Sequence, residues 1–513
     1  MLSSRARDFT PAPHDGQRAP YQVARRDARA RNGIGTHRPA FLLLALLLAA
    51  STLAGAQASA PDSKVEDAVL AEMKREHIPG LALGVYRDGQ IVKVQGYGLA
   101  NVELNVPVKP ETIFQSGSVG KQFTATAIMM LVEEGKVSLD DSVTKYFPDA
   151  PASWKPIRVK NLLSHTSGLS EYETEARTKP GALFDLRQDH TETELFKMIA
   201  TLPIENPPGE RWAYRNTNYV LLGFLIHKVT GELYGDFLQE RIFKPLGMNS
   251  TRIISEADII PNRSAGYRLV KGAQLKNQDW VSPTYNTTAD GAIYFNVLDL
   301  AKWDAALYTE RLLKESSLDH VWTVFRLDDG KPNPGNYGFA WAIDRINGHR
   351  VIEHSGAWQG FTTDIARYVD DKLTVVVLTN LDSAHSQPGK IAHMVAGLYN
   401  PALTPPIPKP IEDHEPQVTA FVRQTVERLA AGQADPNIFA PEMRAQFSPE
   451  ELKEAGEALK GLGDLKSLDL IERRQEDAKR HYRYRAVFGG QAYVVAVTLD
   501  ANGKIAALGY EEE

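Results

Sequence analysis

Strand patterns stand at both ends of a long helix-rich region, and this arrangement restricts the fold more than any other feature. Two hairpins are predicted by β-favouring runs around a turn pair: Leu81–Tyr86 with Ile91–Tyr97 around Asp88-Gly89, and Phe361–Val369 with Lys372–Asn380 around Asp370-Asp371. Such a chain can pair its two ends in one antiparallel sheet. We therefore predict an α/β (α+β) fold, in which an antiparallel sheet flanked by helices meets an all-helical lobe at a cleft.

Helical periodicity fills the region between the two hairpins and also precedes the first one. Apolar residues recurring every three or four positions predict these helices: Asp62–His77, Thr124–Glu134, Tyr219–Val229 and Tyr234–Phe243. The apolar fraction of 43% and the charged fraction of 24% are those of an ordinary globular protein. We expect residues 61–400 to form one domain.

A Pro-rich segment over residues 401–416 separates this domain from a second one. Its prolines favour a stiff, extended linker: Pro401, Pro405, Pro406, Pro408, Pro410 and Pro416. Residues 417–513 predict a small α+β C-terminal domain with helices followed by strands: Thr419–Ala431, Pro449–Leu462, His481–Phe488, Gln491–Leu499 and Ile505–Tyr510. Turn pairs at Gly489-Gly490 and Asn502-Gly503 predict that these strands follow one another as hairpins.

Residues 1–60 have the order of a signal-peptide region with a basic N-terminal extension. Arg38 precedes the uninterrupted apolar run Ala40–Ala50, and small residues of the A-x-A type follow, ending at Ala58–Ala60. A spanning helix needs about twenty apolar residues, so this run is short for a membrane anchor, which is the alternative. The sequence therefore predicts a signal peptide near residues 38–60 and a periplasmic or secreted protein.

Composition excludes several classes of site and partner. The chain has no cysteine, so disulfides, zinc thiolates and thiol nucleophiles are absent. None of the thirteen histidines forms an HExxH motif or a close H-x-H pair, and we expect neither a metal site nor a cofactor. Residues 1–60 carry a net charge of +5, so the rest carries −11 of the total of −6. Nucleic acid is therefore not an expected partner.

Ser118 stands three residues before Lys121, where an apolar helical pattern begins. Residues i and i+3 of a helix share a face about 5–6 Å apart. A serine hydroxyl becomes a nucleophile when a base removes its proton, and burial at a helix N-terminus favours the neutral amine that such a base requires. The same helix end points backbone N–H groups at the attacked group. The alternative is an N-cap serine beside a solvated lysine.

Two further stretches combine turn residues with polar side chains. Tyr214 and Asn216 lie two apart in a segment predicted to be extended, so both should project to one side, where a phenol and an amide can relay a proton and hold a carbonyl. The alternative is a packing tyrosine and an N-cap asparagine. His354 and Gly356 end a short β-favouring run, and the Ala357 N–H could receive a substrate carbonyl. A strand-terminal histidine with a turn is the alternative there, and His165 is interpreted as structural.

These stretches, in this order, resemble the serine β-lactamase and penicillin-binding-protein superfamily. The likeness is greatest to its branch of class C β-lactamases, D-alanyl-D-alanine carboxypeptidases, D-aminopeptidases and esterases. The three motifs of that branch match Ser118-x-x-Lys121, Tyr214-x-Asn216 and His354-x-Gly356, and other similar stretches are LLSHTSGL at 162–169, PPGERWAYRNTNYVLLG at 207–223 and FKPLGM at 243–248. The resemblance covers roughly residues 62–400.

The resemblance implies a role for each of these residues. Ser118 would be the acylated nucleophile, Lys121 its general base and Tyr214 the group that moves the proton to the leaving group. Asn216 would bind the substrate's amide carbonyl, and the N–H groups of Ser118 and Ala357 would form the oxyanion hole. The implied fold is an α/β sandwich with an all-helical lobe.

One departure from the family pattern bears on the substrate. Many lactamases open the third motif with lysine, whereas this chain has His354, and an imidazole is mostly neutral at pH 7. It is therefore a weaker anchor for a carboxylate. Esterases and D-amino-acid peptidases of the branch open this motif with histidine. Together with the predicted signal peptide, the resemblance therefore implies an exported serine hydrolase acting on esters or on peptides and amides that contain D-amino acids. The alternatives are a true class C-like β-lactamase and a non-catalytic protein that binds peptidoglycan or a partner.

The sequence leaves other properties open. The expected ligand is a small-molecule or peptide substrate, of which peptidoglycan fragments are one source, but neither its identity nor the oligomeric state follows from the residues. The C-terminal domain resembles the small accessory domains of the nuclear-transport-factor-two-like class. Such a domain could contact substrate, mediate dimers or only add mass.

Overall fold

The computed structural model describes residues 60–270, 274–383, 386–433, 435–444, 449–476 and 479–512, and the described part forms one compact unit. The predicted signal-peptide region lies outside these residues, apart from its last position, Ala60. The strands are, in chain order, β1 Gly80–Arg87, β2 Gln90–Asn101, β3 Val106–Pro107, β4 Phe114–Gln115, β5 Arg252–Ile253, β6 Tyr267–Val270, β7 Gln274–Asn277, β8 Ile293–Phe295, β9 Ala342–Ile346, β10 His349–Trp358, β11 Phe361–Tyr368, β12 Leu373–Thr379, β13 Leu381–Asp382, β14 Leu465–Glu476, β15 Lys479–Phe488, β16 Gln491–Leu499 and β17 Ile505–Glu512.

Helices lie before, between and after these strands. They are α1 Ala60–Glu76, α2 Lys121–Glu133, α3 Val159–Leu163, α4 Glu175–Thr178, α5 Glu192–Ala200, α6 Asn216–Thr230, α7 Tyr234–Leu238, α8 Lys244–Leu246, α9 Val297–Ala306, α10 Glu315–Val321, α11 Pro388–Tyr399, α12 Pro416–Ala430, α13 Pro441–Arg444 and α14 Pro449–Gly461. A π-helical turn, Gln239–Phe243, joins α7 to α8, and a 3₁₀ turn, Gly117–Gly120, leads directly into α2. No helix in the described ranges has the length and apolar character that crossing a membrane requires.

The two ends of the helix-rich region meet in one sheet, as the sequence predicts. Within the described residues this sheet has seven strands in the order β3-β2-β1-β12-β11-β10-β9, and neighbouring strands run antiparallel. The junction is the β1–β12 pair, in which Leu81 lies opposite Thr379 and Val85 opposite Val375. The predicted fold class is therefore confirmed, with the helical lobe inserted between β2 and β9.

Alternating side chains of the sheet supply two separate cores. Leu81, Leu83 and Val85 pack with α1 and α11 on one face, whereas Ala82 and Tyr86 point to the other face and join the core of the helical lobe. This is the period of two that a strand buried on both faces must have. Since β10 and β11 also contact the turn Gly117–Gly120, the face toward the lobe carries the junction predicted as a cleft.

The C-terminal region contains one strand more than the sequence predicts. Its sheet has the order β14-β15-β16-β17 among the described residues, and helices α12 and α14 pack together beside it around a core of its own. The additional strand is Leu465–Glu476, whose polar residues hide its pattern. Two register irregularities in its pairing with β15 break the alternation of apolar residues, so a search for period two fails there.

Candidate active site

The turn that leads into α2 sets Ser118 and Lys121 side by side. Gly117 takes a positive φ of 49°, which an L side chain rarely adopts, and the chain then passes through a 3₁₀ turn into the helix. Lys121 is fully buried, and its Nζ lies 2.9 Å from Ser118 Oγ. Serine and lysine therefore share one helix face within hydrogen-bond distance.

The Lys121 amine has two hydrogen-bond partners besides Ser118. Nζ lies 2.8 Å from Asn216 Oδ1 and 2.5 Å from the carbonyl oxygen of Asp290, and both of these atoms accept hydrogen bonds. A neutral amine has two hydrogens and one lone pair. When the hydrogens go to Asn216 and Asp290, the lone pair remains for the Ser118 hydroxyl proton. This geometry suits proton abstraction from the serine.

Backbone amides of two elements converge beside Ser118. A Cβ on Gly117 would stand 2.4 Å from the Ala357 nitrogen, and one on Gly356 would stand 2.8 Å from the Ser118 nitrogen. The turn before α2 and the end of β10 are therefore in direct backbone contact. The amide groups of Ser118 and Ala357 lie together at this contact, where the sequence predicts an oxyanion hole.

Tyr214 lies against the Lys121 amine, with Nζ 5.0 Å from the centre of the phenol ring. The phenol oxygen is buried and has no hydrogen-bond partner within the described residues. The predicted extended segment ends at Arg215, and Asn216 begins α6 instead. The tyrosine and the asparagine nevertheless both reach Lys121, so the difference in local structure does not separate them.

His165 supports Tyr214 from behind. The two rings lie 4.2 Å apart between centroids, and burial lowers the pKa of His165 well below its usual value. Its Nδ1 lies 3.2 Å from the Arg215 backbone nitrogen, from which it accepts a hydrogen bond. This imidazole is therefore neutral, and it fixes the backbone between Tyr214 and Asn216.

His354 is buried and uncharged. Its Nδ1 donates to the Ser355 carbonyl oxygen at 2.6 Å, so its Nε2 is left to accept from the Tyr337 hydroxyl at 2.8 Å. Burial lowers the pKa of His354 to about 3. The ring therefore offers no positive charge to a substrate carboxylate, and both of its nitrogens already have partners.

A group of carboxylates beside Asn216 was missed by the sequence reasoning. Asn216 Nδ2 donates to Glu173 Oε2 at 2.7 Å, and its backbone N–H donates to Glu171 Oε2 at 2.5 Å. Tyr172, between the two glutamates, donates to Asp290 Oδ2 at 2.9 Å. Burial, together with the Asp290 and Glu171 carboxylates, raises the pKa of Glu173 to about 8. The two glutamates follow the LLSHTSGL stretch closely, which was the one signal available in the sequence.

Ser118 lies at the meeting point of two spaces of very different size. An inner pocket of about 20 Å³ is bounded by Ser118, Glu173, Asn216 and Ala357. An outer cleft of about 1480 Å³ is bounded by Ser118, Tyr214 and the end of β10, and it continues past α11. The inner pocket has room for one small group, whereas the outer cleft has room for several residues.

The described residues contain no cluster of three or more histidine, aspartate or glutamate side chains arranged to hold a metal ion. The groups around Ser118 are a hydroxyl, an amine, a phenol, an amide and carboxylates. Together they form a set suited to nucleophilic and acid–base chemistry.

Comparison with known proteins identifies the family of the chain. The family model described as Beta-lactamase matches residues 65–397. Penicillin-binding protein 4* of Bacillus subtilis (strain 168) is 30% identical over 308 residues, which cover 57% of this chain and 66% of that protein. A D-aminopeptidase of Gluconobacter oxydans (strain 621H) is 28% identical over 327 residues, which cover 63% of this chain and 59% of that protein. The chain thus spans less than two thirds of the length of these curated relatives.

A solved structure matches over more of the chain. The octameric penicillin-binding protein homologue from Pyrococcus abyssi superposes with a TM-score of 0.60 at 26% identity, and the match covers 87% of this chain and 95% of that one. This coverage exceeds the segment matched by the family model, so it includes residues of the C-terminal region.

Proposed function

Because the chain belongs to the Beta-lactamase family, we propose that it is a serine hydrolase that cleaves esters, and amides or peptides of D-amino acids, through an acyl-enzyme on Ser118. The observation that carries this proposal is the 2.9 Å contact between Lys121 Nζ and Ser118 Oγ, next to the amides of Ser118 and Ala357. A buried base, a nucleophile and paired N–H donors are the parts that acyl transfer requires.

The reaction starts with proton transfer from Ser118 to the lone pair of Lys121. Ser118 Oγ then attacks the substrate carbonyl carbon, and the negative charge that forms on the carbonyl oxygen is stabilised by the amides of Ser118 and Ala357. The bond to the leaving group breaks as Tyr214 delivers a proton to it, and the proton on Lys121 restores the phenol. In the second half of the reaction the proton transfers run backward. Tyr214 passes its proton to Lys121 and takes one from the water that attacks the acyl-enzyme, and Lys121 then returns a proton to Ser118, which releases the acid and free Ser118.

The inner pocket supports a substrate whose acyl part carries an amino group. Glu173, Glu171 and Asp290 surround Asn216, so an ammonium group placed there gains a carboxylate partner in a partly dry site. Cation binding would also favour ionisation of Glu173, whose pKa is otherwise raised to about 8. Because the relative from Gluconobacter oxydans is named a D-aminopeptidase, we propose an amino-terminal D-residue as the acyl part.

The neutral state of His354 favours this activity over that of a β-lactamase, in which a positive charge would anchor the substrate carboxylate. With a pKa lowered to about 3, His354 stays uncharged throughout the working range of pH. The size of the outer cleft fits a leaving group that extends beyond one residue. Both features favour cleavage of a small acyl group from a longer amide or peptide.

Export is part of the proposal. Its support is the sequence of the predicted signal peptide near residues 38–60, where Arg38, an apolar run and small residues follow one another. A periplasmic or secreted enzyme would meet peptides with D-amino acids outside the cytoplasm. Fractionation of cells that express the full chain, followed by N-terminal sequencing of the mature protein, tests this location.

The test of the activity is Ser118→Ala with Ser250→Ala as the control. We expect Ser118→Ala to lose hydrolysis of short-chain p-nitrophenyl esters and labelling by a fluorophosphonate probe, while Ser250→Ala keeps both. Mass spectrometry of the wild type should find the acyl increment on the peptide that contains Ser118. Unchanged ester turnover in Ser118→Ala would refute the proposal, and a wild type without turnover or acylation would indicate a binding protein.

A further inference from the structure

We propose that Arg483 of the C-terminal sheet binds a carboxylate on the leaving group, so that this sheet helps to select the substrate. The inference rests on the proposed function, because it assigns the outer cleft to the leaving group. The starting observation is that residues of three regions line that cleft together: Ser118 and Tyr214 of the active site, Lys390 and His393 of α11, and Arg483 of β15.

The part of β10 that does not pair with β9 provides an edge along which an extended substrate can lie in the outer cleft. Strand β9 pairs with β10 from His349 to Glu353, and in the described structure the pairing stops there, just before His354. The next residues, Ser355 to Ala357, line the cleft and lead to the contact with Ser118. An extended substrate can therefore lie along this edge as an added strand. Its leaving group then continues toward the surface formed by α11 and the C-terminal sheet.

Strand alternation points Arg483 away from the core of the C-terminal sheet. Tyr482 and Tyr484 are buried in that core, with exposures of 1% and 0%, whereas the Arg483 side chain is 44% exposed. In the register of β14 and β15, Arg483 lies opposite Glu472, and Nη1 lies 3.3 Å from Glu472 Oε2. This contact orients the guanidinium, which has five N–H donors and can bind Glu472 and a ligand at once.

Side chains of both charges line the rest of the cleft wall. Glu353 is paired with His393, whose Nε2 lies 3.1 Å from Glu353 Oε2. Burial and, after it, the nearby Glu353 carboxylate raise the pKa of Asp364 well above its usual value. Arg483 and Lys390 add positive charge to the same wall. A planar guanidinium matches the two oxygens of a carboxylate, such as the C-terminus of a short peptide.

The experiment compares two peptides that share an N-terminal D-alanine and differ only at the other end, one with a free carboxylate and one with an amide. Each is measured as a competitive inhibitor of p-nitrophenyl ester hydrolysis and, where cleaved, as a substrate. We expect Arg483→Ala to raise Ki or KM for the carboxylate peptide about three- to tenfold, with kcat unchanged. The amide peptide and the ester should be unaffected, and Arg483→Lys should recover part of the binding.

The control is Arg485→Ala, two residues along the same face of β15 but outside the lining of the cleft. It should bind both peptides as the wild type does, and added salt should weaken carboxylate binding more in proteins that keep Arg483 than in Arg483→Ala. Equal binding of the carboxylate peptide by wild type and Arg483→Ala would overturn the inference, as would an equal loss for both peptides. Absence of ester turnover in the wild type would instead overturn the proposed function on which it rests.

Discussion

Gly356 packs directly against the backbone of Ser118, since a Cβ atom added to this glycine would lie 2.8 Å from the Ser118 amide nitrogen. The contact is reciprocal, because a Cβ on Gly117 would lie 2.4 Å from the amide nitrogen of Ala357. Two glycines thus allow the turn before α2 and the end of β10 to approach until their amides stand together. The proposed oxyanion hole therefore requires that both positions lack a side chain.

Gly356→Ala should therefore reduce kcat strongly while the protein still folds. The new methyl group would also stand 2.3 Å from the carbonyl oxygen of Ser116, so the strand must shift away from Ser118 and the paired amides separate. Loss of one oxyanion donor costs about 10²- to 10³-fold in kcat, and we expect a loss of that size in ester hydrolysis. Gly509→Ala, whose Cβ would meet nothing within 4 Å, is the matched control. A Gly356→Ala enzyme with the kcat of the wild type would show that these amides do not bind the oxyanion.

The pair of Asp304 and Arg367 joins the helical lobe to the sheet in a fully buried site. Arg367 Nε donates to Asp304 Oδ1 at 2.7 Å, both side chains are at most 1% exposed, and the guanidinium lies 4.7 Å from the ring centre of Tyr308. Asp304→Ala leaves this cation buried without its partner. We expect the free energy of unfolding to fall by about 3–5 kcal/mol in urea denaturation.

The matched control for Asp304→Ala is Asp258→Ala, which removes the partner of Arg252 in a half-exposed pair. An exposed ion pair contributes less than about 1 kcal/mol, so this variant should unfold close to the wild type. If the two variants lost similar amounts of unfolding free energy, burial would not determine how much the Asp304–Arg367 pair contributes to stability.

The sequence predicts the hairpins of the sheet and the spacing of Ser118 and Lys121 well because both depend on local patterns. Both turn residues of the hairpin around Asp88-Gly89 have positive φ angles. In this hairpin β2 pairs with one edge of β1, and β12 pairs with the other edge. Ser118 and Lys121 meet because three residues of a helical turn always bring side chains to one face. Information of this kind is present within a few residues of each motif.

What the sequence could not supply are contacts made across long separations. The Asp290 carbonyl reaches Lys121 from a segment 169 residues away that has no periodic pattern. Glu173 becomes part of the site only because α6 brings Asn216 beside it. Read along the chain, Glu171 and Glu173 look like ordinary surface carboxylates, and their raised pKa values result from burial by other elements.

The low pKa of His354 should make the wild type sensitive to acid. A histidine whose pKa falls from 6.5 when unfolded to about 3 when folded binds its proton first in the unfolded state, so stability is lost as pH decreases below 6.5. From pH 7 to pH 5 this group alone should cost about 2 kcal/mol in the free energy of unfolding. His354→Gln should lose less stability over that interval, as measured by urea denaturation at the two pH values. Parallel losses in the two proteins would contradict a buried, neutral His354.

The raised pKa of Glu173 should make the free energy of unfolding decrease as pH increases, which is the opposite of the effect of His354. A carboxyl whose pKa rises from 4.5 to about 8 on folding releases its proton first in the unfolded state, so its ionisation destabilises the fold as pH increases from 4.5 to 8. Glu173→Gln should therefore weaken the decrease in stability over this range. If Glu173 binds an ammonium group, the same variant should also lower kcat/KM for D-alanine p-nitroanilide about tenfold or more, because a charge-assisted contact is lost.

Substrates without a free amino group distinguish a loss of amine recognition from a general loss of activity. N-acetyl-D-alanine p-nitroanilide and p-nitrophenyl acetate carry no ammonium group, so Glu173→Gln should cleave both at rates close to those of the wild type. Glu210→Gln, at an exposed carboxylate beside Arg211, controls for the change of charge. An equal loss on free and acetylated substrates would assign Glu173 to the positioning of Asn216, through their 2.7 Å hydrogen bond, and would remove the case for an amino-terminal substrate.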